Sequence, residues 1–196
     1  SVVSDEFPAE AGLDEPSETH DIAEPYAVSV GRAGWVKGTW ETVSMLSGSG
    51  ISLAHVGGGA GEDLARLTQH AESCGVGLWV APRLSSPEMA ALMRGARAVV
   101  SMAHGEPFGL TPVEAISVGT PALMVDEGGF RDTVIDGVNG RLLPRDDLGA
   151  WHSALEQVAD GGTRTAWAES GRARIAEMDL SPDTHCRRLE SILGHL

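Results

Sequence analysis

The sequence has 196 residues, of which 42% are hydrophobic, and this size and composition fit one globular domain with a full core. It contains no run of about 18 apolar residues, so no transmembrane segment is predicted. The net charge of -14 would repel the phosphates of DNA or RNA, which argues against a nucleic-acid partner. Cys74 and Cys186 have neither the spacing of a zinc site nor the density of a disulfide scaffold, so they indicate reduced thiols in a cytosolic protein.

The first predicted segment is an acidic linker or arm over residues 1–25. It carries eight acidic side chains and neither Lys nor Arg, and three prolines (Pro8, Pro16 and Pro25) interrupt it. It shows no apolar periodicity, so it lacks the pattern of a helix or strand that packs on a core.

Short apolar runs and helical patterns alternate after this segment. Strands are predicted at 26–30, 51–56, 78–81, 98–102, 122–125 and 141–143. Helices are predicted at 37–46, 61–73, 86–95, 111–118 and 130–135, and three more near 148–159, 163–178 and 182–193. Most strands are apolar throughout, which predicts a parallel sheet that is covered by helices on both faces. The predicted fold is an α/β domain over residues 26–180, a Rossmann-like, doubly wound sheet of about six strands. Residues 181–196 are predicted to form a C-terminal helix. The ligand of the α/β domain should bind at the carboxyl ends of the strands, where the strand order reverses.

Two glycine-containing segments follow predicted strands. Residues 57–61 fail the dinucleotide fingerprint, because Glu62 stands where its third glycine is needed, and they predict a flexible strand-to-helix turn. Residues 31–38 place Arg32 and Lys37 directly after the first strand. Two cations at the predicted ligand edge suit a diphosphate, which Arg32 can bond bidentately while Lys37 supplies a point charge. The alternative is that both are solvated loop cations.

Two acidic side chains, Glu106 and Glu114, flank the predicted start of the fourth helix. Thr111, Pro112 and Glu114 have the spacing of a capping box, which would explain Glu114 without a ligand. That interpretation leaves Glu106 unexplained. The free N–H groups of Gly109 and Leu110 at a helix start suit an anion, and the two carboxylates could then accept hydrogen bonds from hydroxyls on either side of it. A nucleotide sugar fits this arrangement.

Residues 106–115 (Glu-Pro-Phe-Gly-Leu-Thr-Pro-Val-Glu-Ala) resemble the Glu-x7-Glu segment of retaining glycosyltransferases of the GT-B fold, especially glycosyltransferase family 4 (glycosyl transferases group 1). Residues 28–38 resemble the diphosphate loop of that family, and residues 54–59 its second strand and glycine turn. Residues 116–147 resemble its Gly-x-Pro strand, Gly-Gly turn and Asp-Gly-x-x-Gly stretch, and the helix after Ser181-Pro182 resembles its closing helix. The resemblance implies the carboxyl-terminal, donor-binding half of a GT-B architecture.

The resemblance also implies roles for the matching residues. Glu114 would hold the ribose hydroxyls of the donor, and Glu106 would contact hydroxyls of the transferred sugar. Arg32 and Lys37 would neutralise the departing diphosphate, so neither a metal nor another cofactor is expected. Glu106, Arg32 and Lys37 would form the catalytic set. The remaining substrate-binding residues would be Gly31, Phe108, Gly109, Leu110 and Thr111 around the sugar and phosphates, and Arg83 at the base. His104 either touches the substrate or is a solvated or backbone-bonded loop residue.

The function implied is transfer of a sugar from a nucleoside diphosphate sugar to an acceptor, with the base (UDP, GDP or ADP) left open. The acceptor-binding amino-terminal half is absent, so the chain is expected to be an excised piece that does not turn over alone. The expected location is the cytoplasm or the inner face of a membrane. Two alternatives stay open: a non-catalytic nucleotide-sugar-binding or regulatory module, including a degenerate transferase, and a subunit whose acceptor half lies on a separate chain.

Overall fold

Six parallel strands form one sheet in the computed structural model, which describes residues 21–178. The strands are β1 (Tyr26–Val30), β2 (Ser52–Val56), β3 (Leu78–Ala81), β4 (Ala98–Ser101), β5 (Ala122–Val125) and β6 (Gly140–Leu143). Their order across the sheet is β3-β2-β1-β4-β5-β6. The order reverses between β1 and β4, so the carboxyl ends of these two strands mark the position at which α/β sheets bind ligands.

Helices connect the strands and cover the sheet. They are α1 (Thr39–Leu46), α2 (Gly61–Cys74), α3 (Ser86–Gly95), α4 (Leu110–Ser117), α5 (Phe130–Thr133), α6 (Leu148–Gln157) and α7 (Gly161–Met178). Helix α1 packs against α2 and α6, whereas α4 packs against α3, α5 and α7. Because parallel crossovers are right-handed, the reversal of strand order places these two groups on opposite faces of the sheet. The predicted doubly wound, Rossmann-like sheet of six strands is confirmed.

The central strands are buried on both faces because they are apolar throughout. Ala27 and Val28 of β1, like Val99 and Val100 of β4, have no exposed surface. The large side chains that pack around them include Met45, Leu46, Leu53, Leu67, Leu92, Met93, Leu123, Met124 and Trp151. Full burial of one such side chain stabilises the fold by about 1.5–3 kcal/mol. The sheet is therefore a well-packed scaffold for the loops at its carboxyl edge.

Several predicted helices differ from the structure by one or two residues at an end, and local contacts explain two of these differences. The helix predicted at 37–46 begins at Thr39, because Gly38 adopts a left-handed conformation with φ 60° and separates it from a 3-10 turn at Trp35–Lys37. The helix predicted at 130–135 ends at Thr133. There the Asn139 amide donates to the Thr133 carbonyl at 3.1 Å and accepts from the Ile135 N–H at 2.7 Å, so the side chain replaces the next helical turn.

Some predictions concern the chain ends. Residues 1–20 and the helix predicted at 182–193 lie outside the described residues. Residues 21–25 have no regular secondary structure, and Ile22 packs against the core. The linker at 1–25 stays a prediction. Within residues 21–178, no helix combines the length and the apolar character needed to cross a membrane.

Candidate functional site

The loops that follow β1 and β4 are held together by their backbones. A Cβ added to Gly38 would lie 1.9 Å from the Met102 carbonyl oxygen, so the close approach and the left-handed conformation both require glycine. The His104 N–H donates to the Val36 carbonyl at 2.8 Å. These contacts hold the end of the loop after β1 against the start of the loop after β4, at the edge of the sheet where the strand order reverses.

Lys37 and Glu106 meet where the two loops join. The Lys37 Nζ lies 2.9 Å from Glu106 Oε2, and the side chains are 39% and 17% exposed. The Lys37 stem crosses Gly31, where an added Cβ would lie 3.2 Å from two of its carbons. Arg32 is exposed and forms no hydrogen bond or ion pair with any part of residues 21–178. The structure therefore brings together Lys37, Glu106 and Gly31 and leaves the Arg32 guanidinium open to solvent.

Helix α4 begins at Leu110, with Gly109 as its N-cap. Gly109 is left-handed (φ 59°), and an added Cβ would lie 2.6 Å from the Gly129 carbonyl oxygen, so packing against Gly129 sets the start of the helix. No side chain caps this end, and the capping-box interpretation of Thr111 and Glu114 is wrong. The N–H groups of Leu110 and Thr111 lie in the first turn and so lack intrahelical partners. A positive helix end is thus available to an anion.

Glu114 lies at a cavity on the other side of this helix start. The cavity has a volume of about 430 Å³ and is lined by Val30, Leu84, Ser86, Met89, Ala90, Met93, Glu114, Ser117 and Val118. It opens between the end of β1, α3 and α4. Glu114 itself stays exposed at the rim, and desolvation there raises the pKa of its carboxyl group. Mostly apolar walls, with two serines and one carboxylate, suit a flat organic group that carries hydroxyls.

Three other predicted residues are exposed near these features. Phe108 and Leu110, on either side of the α4 N-cap, expose 64% and 58% of their surfaces. Such apolar exposure in a loop beside a cleft is typical of a binding surface. Arg83 is exposed directly after β3, next to the cavity residue Leu84.

His104 is held by two side chains of the first loop and helix. Its Nε2 lies 2.6 Å from Glu41 Oε1, and its ring stacks on Trp35 with centroids 4.3 Å apart and planes at 10°. Trp35 is 70% exposed, so the opposite face of its ring is open. The His104 side chain is directed to Glu41 and Trp35 in this structure, and its contact with a substrate stays a prediction.

Arg145 and Glu127 form a second ionic pair behind Lys37 and Glu106. Arg145 Nε and Nη2 donate to the two Glu127 carboxylate oxygens at 2.9 and 2.8 Å. Arg145 also donates to the carbonyl oxygens of Met102 at 2.7 Å and Ala103 at 3.3 Å. The hydrogen bond from Arg145 lowers the pKa of Glu127. Sequence reasoning missed both residues and Glu41, although Glu127 follows β5 and Arg145 follows β6 at the same edge of the sheet.

Within residues 21–178, no group of three or more His, Cys, Asp or Glu side chains could hold a metal ion. The site instead consists of cations, backbone N–H groups and two separated carboxylates. This set of groups can bind an anion between two hydroxyl-bearing groups.

The family model described as glycosyl transferases group 1 matches residues 14–174. The chain belongs to the glycosyl transferases group 1 family. It is 33% identical over 159 residues to the D-inositol 3-phosphate glycosyltransferase of Xylanimonas cellulosilytica, which is 78% of this chain and 38% of that enzyme. The corresponding enzyme of Mycolicibacterium smegmatis is 33% identical over 116 residues, 57% of this chain and 27% of that protein. The chain thus spans less than two fifths of the length of these two relatives.

Solved structures share the fold. The C-terminal domain of a group 1 glycosyltransferase (LpcC) from Francisella tularensis has a TM-score of 0.65 at 21% identity, over 78% of this chain and 85% of that one. Sucrose-phosphate synthase from Thermosynechococcus elongatus has a TM-score of 0.75 at 24% identity, over 92% and 46%. HepE from Anabaena, in complex with UDP and glucose, has a TM-score of 0.69 at 21% identity, over 88% and 49%. The predicted half of a GT-B architecture is confirmed.

Proposed function

We propose that this chain is the donor-binding half of a retaining glycosyltransferase and that it binds a nucleoside diphosphate sugar at the β1/β4 edge. The observation that carries the proposal is that the Lys37–Glu106 pair and the Glu114 cavity lie on either side of the α4 start, which no side chain caps, at the edge of the sheet where β1 and β4 end. The complex of HepE with UDP and glucose supports it, because that protein shares the fold.

The diphosphate is assigned to the start of α4. There the N–H groups of Leu110 and Thr111 donate to the phosphate oxygens, and the helix end adds about half a positive charge. Lys37 is 2.9 Å from Glu106, so its ammonium can bond a phosphate while it keeps one donor on that carboxylate. Arg32 has no competing partner within residues 21–178, and its guanidinium can close over the diphosphate from solvent. These cations take the role that a metal ion fills elsewhere, and the transfer is proposed to be metal-independent.

The two carboxylates then divide the rest of the donor. The nucleoside enters the cavity, where Glu114 accepts hydrogen bonds from the ribose hydroxyls and Arg83 lies beside the base. Glu106 accepts from hydroxyls of the transferred sugar, between Lys37 and the exposed Phe108. When the bond between sugar and diphosphate breaks, the negative charge grows on the oxygen next to Lys37 and the start of α4. Charge stabilisation at that oxygen is the catalytic contribution of this half.

The acceptor and any catalytic groups that approach the sugar from the other side are proposed to come from an amino-terminal half. This assignment rests on the fact that the chain covers 38% of its relative from X. cellulosilytica. The acceptor is proposed to approach on the side of the exposed side chains of Trp35, Phe108 and Leu110, which are 70%, 64% and 58% exposed.

Thermal shift and calorimetric titration with UDP-, GDP- and ADP-glucose test the donor site. We expect one base series to bind and to raise the melting temperature, and the diphosphate to bind more tightly than the nucleoside because the phosphates meet three sets of donors. If the nucleoside diphosphate bound no more tightly than the nucleoside, the diphosphate assignment would be overturned.

Turnover with a supplied amino-terminal half separates a transferase from a binding module. Donor binding without sugar transfer would favour the non-catalytic alternative.

A further inference from the structure

We infer that Arg145 is a positioning residue that fixes the Glu106 carboxylate for the transferred sugar. The inference rests on the proposed donor site. It adds Arg145, which lies in the loop after β6, a loop from which no donor-binding residue is proposed. Arg145 lies after β6, two strands away from β4 in the sheet.

Arg145 holds the backbone of the Glu106 loop from its upstream side. Its guanidinium donates to the carbonyl oxygens of Met102 and Ala103, the first two residues after β4. Carbonyl groups at a strand end have lost their ladder partners, so a guanidinium that bonds two in succession fixes the direction in which the chain leaves the sheet.

Arg145 also holds the loop from its downstream side, through Glu127. The bidentate pair anchors the start of the turn at 127–129, and the Gly129 N–H donates to the Glu106 carbonyl at 2.6 Å. A Cβ on Gly128 would lie 2.5 Å from the same carbonyl oxygen, so this turn packs directly on the Glu106 backbone. One side chain therefore links the two segments that hold Glu106.

The contacts of Arg145 are what make it a positioning residue. Its Nε, Nη1 and Nη2 atoms all donate into the protein, and its side chain is 23% exposed. Few donors remain for a phosphate, in contrast to the exposed Arg32. Arg145 also lies 3.7 Å from Glu41, so it neutralises two carboxylates, Glu41 and Glu127, close to where the donor phosphates are assigned.

The test compares affinities for a nucleotide sugar and for its nucleoside diphosphate, using the full 196-residue chain. The probes are whichever of UDP-, GDP- and ADP-glucose gives the largest thermal shift, and the matching diphosphate. In Arg145→Met we expect the preference for the sugar-bearing probe to fall about tenfold, the value of one lost charge-assisted hydrogen bond. The diphosphate alone should change much less. Arg145→Lys should restore part of the preference, since it keeps the charge but not the fork of donors.

Two further variants control for folding. Arg141→Met removes an arginine of β6 that has a similar exposure (28%) and pairs with Asp136 at 2.7 Å. This pair does not contact Glu106, so the variant should keep the wild-type preference for the nucleotide sugar. Glu127→Gln keeps the size of the side chain and breaks the bidentate pair, so it should also lower the preference for the nucleotide sugar. It replaces Arg145→Met in the test if that variant does not fold. In the double variant with Glu106→Gln, Arg145→Met should cause no additional loss, because the carboxylate that it positions is already gone.

Amide hydrogen exchange gives a readout without ligand. The Gly129 N–H, bonded to the Glu106 carbonyl, should exchange at least about tenfold faster in Arg145→Met and Glu127→Gln but not in Arg141→Met. If wild type shows no sugar preference, the sugar contact of Glu106 fails and the exchange result alone decides the role of Arg145. Wild-type exchange at Gly129 with an unchanged affinity ratio, or a lower melting temperature with neither change, would overturn the inference.

Discussion

Glu114→Gln separates helix capping from ligand binding at the most exposed of the two proposed donor carboxylates. The N-cap residue of α4 is Gly109, no side chain caps this end and Glu114 lies in the second turn, so the substitution removes no capping bond. Desolvation raises the pKa of Glu114, which means that folding disfavours its charged form at neutral pH. The free energy of unfolding of Glu114→Gln at pH 7 should therefore equal or slightly exceed that of wild type.

Nucleotide binding should respond in the opposite direction. A carboxylate can accept from two vicinal ribose hydroxyls, whereas a glutamine amide offers one oxygen. The loss of a hydrogen bond to a charged group costs about 1.5–3 kcal/mol. Because Glu114 lies at an open rim, the lower end applies, and about 1.5 kcal/mol corresponds to an increase of about tenfold in Kd.

Calorimetric titration with a ribonucleoside diphosphate and its 2′-deoxy analogue measures this effect. The loss in Glu114→Gln should be smaller for the deoxy compound, which has already lost one partner. Ser85→Ala provides a reference for a genuine cap, since Ser85 and Glu88 form the capping box of α3, and it should lower stability by about 1 kcal/mol. If Glu114→Gln bound both nucleotides as wild type does, the ribose contact would be refuted.

Three other predictions concern the cations and a buried histidine. Lys37→Ala should weaken nucleoside diphosphate binding by about 1.5–3 kcal/mol and leave nucleoside binding nearly unchanged in calorimetry; equal losses would contradict a phosphate contact. Arg32→Ala should raise the Kd for the diphosphate without changing the melting temperature, and an unchanged Kd would identify Arg32 as a solvated loop cation. Burial lowers the pKa of His55, so the folded chain holds its neutral form while the unfolded chain titrates near pH 6.5. Urea unfolding should show stability falling below about pH 6.5, by up to about 1.4 kcal/mol per pH unit from this group, and the fall should be shallower in His55→Leu. Parallel curves for the two proteins would refute the role of His55.

The sheet and the meeting of Lys37 with Glu106 at its edge could be predicted from the sequence because both depend on short-range patterns. Strands that are apolar throughout, separated by helical patterns, leave a parallel sheet as the arrangement that buries both faces. In such a sheet, residues just after each strand share one edge. This rule places Lys37 and Glu106 together although they are 69 positions apart, and the structure joins them at 2.9 Å.

The starts of α1 and α4 could not be predicted because they depend on contacts between loops. Gly38 and Gly109 are both left-handed, and each packs against a backbone carbonyl from a distant segment, that of Met102 or Gly129. The local sequence at Thr111 and Glu114 offers a capping box, but a helix that starts at Leu110 places Thr111 inside its first turn. The tertiary contact at Gly109 outweighs a cap that is worth about 1 kcal/mol.

The pairing of Arg145 with Glu127 shows a different limit. The rule that finds Lys37 and Glu106 also brings Asp126 and Glu127, after β5, to the edge shared with Arg145, after β6. A second arginine, Arg131 on α5, lies within reach of the same turn. Each of the two acids could therefore pair with either arginine. In the structure Arg131 takes Asp126, with Nε to Oδ1 at 2.7 Å, and Glu127 is left to Arg145. That choice depends on which carboxylate points towards the β4 carbonyls, a property of the backbone turn at 127–129, and residue spacing does not encode it.

A double variant that exchanges the two acids, Asp126→Glu with Glu127→Asp, tests this pairing. It keeps the composition and shortens the carboxylate that bonds Arg145 by one methylene. The preference for the nucleotide sugar over the nucleoside diphosphate should therefore fall, while the exposed Arg131 pair can still form.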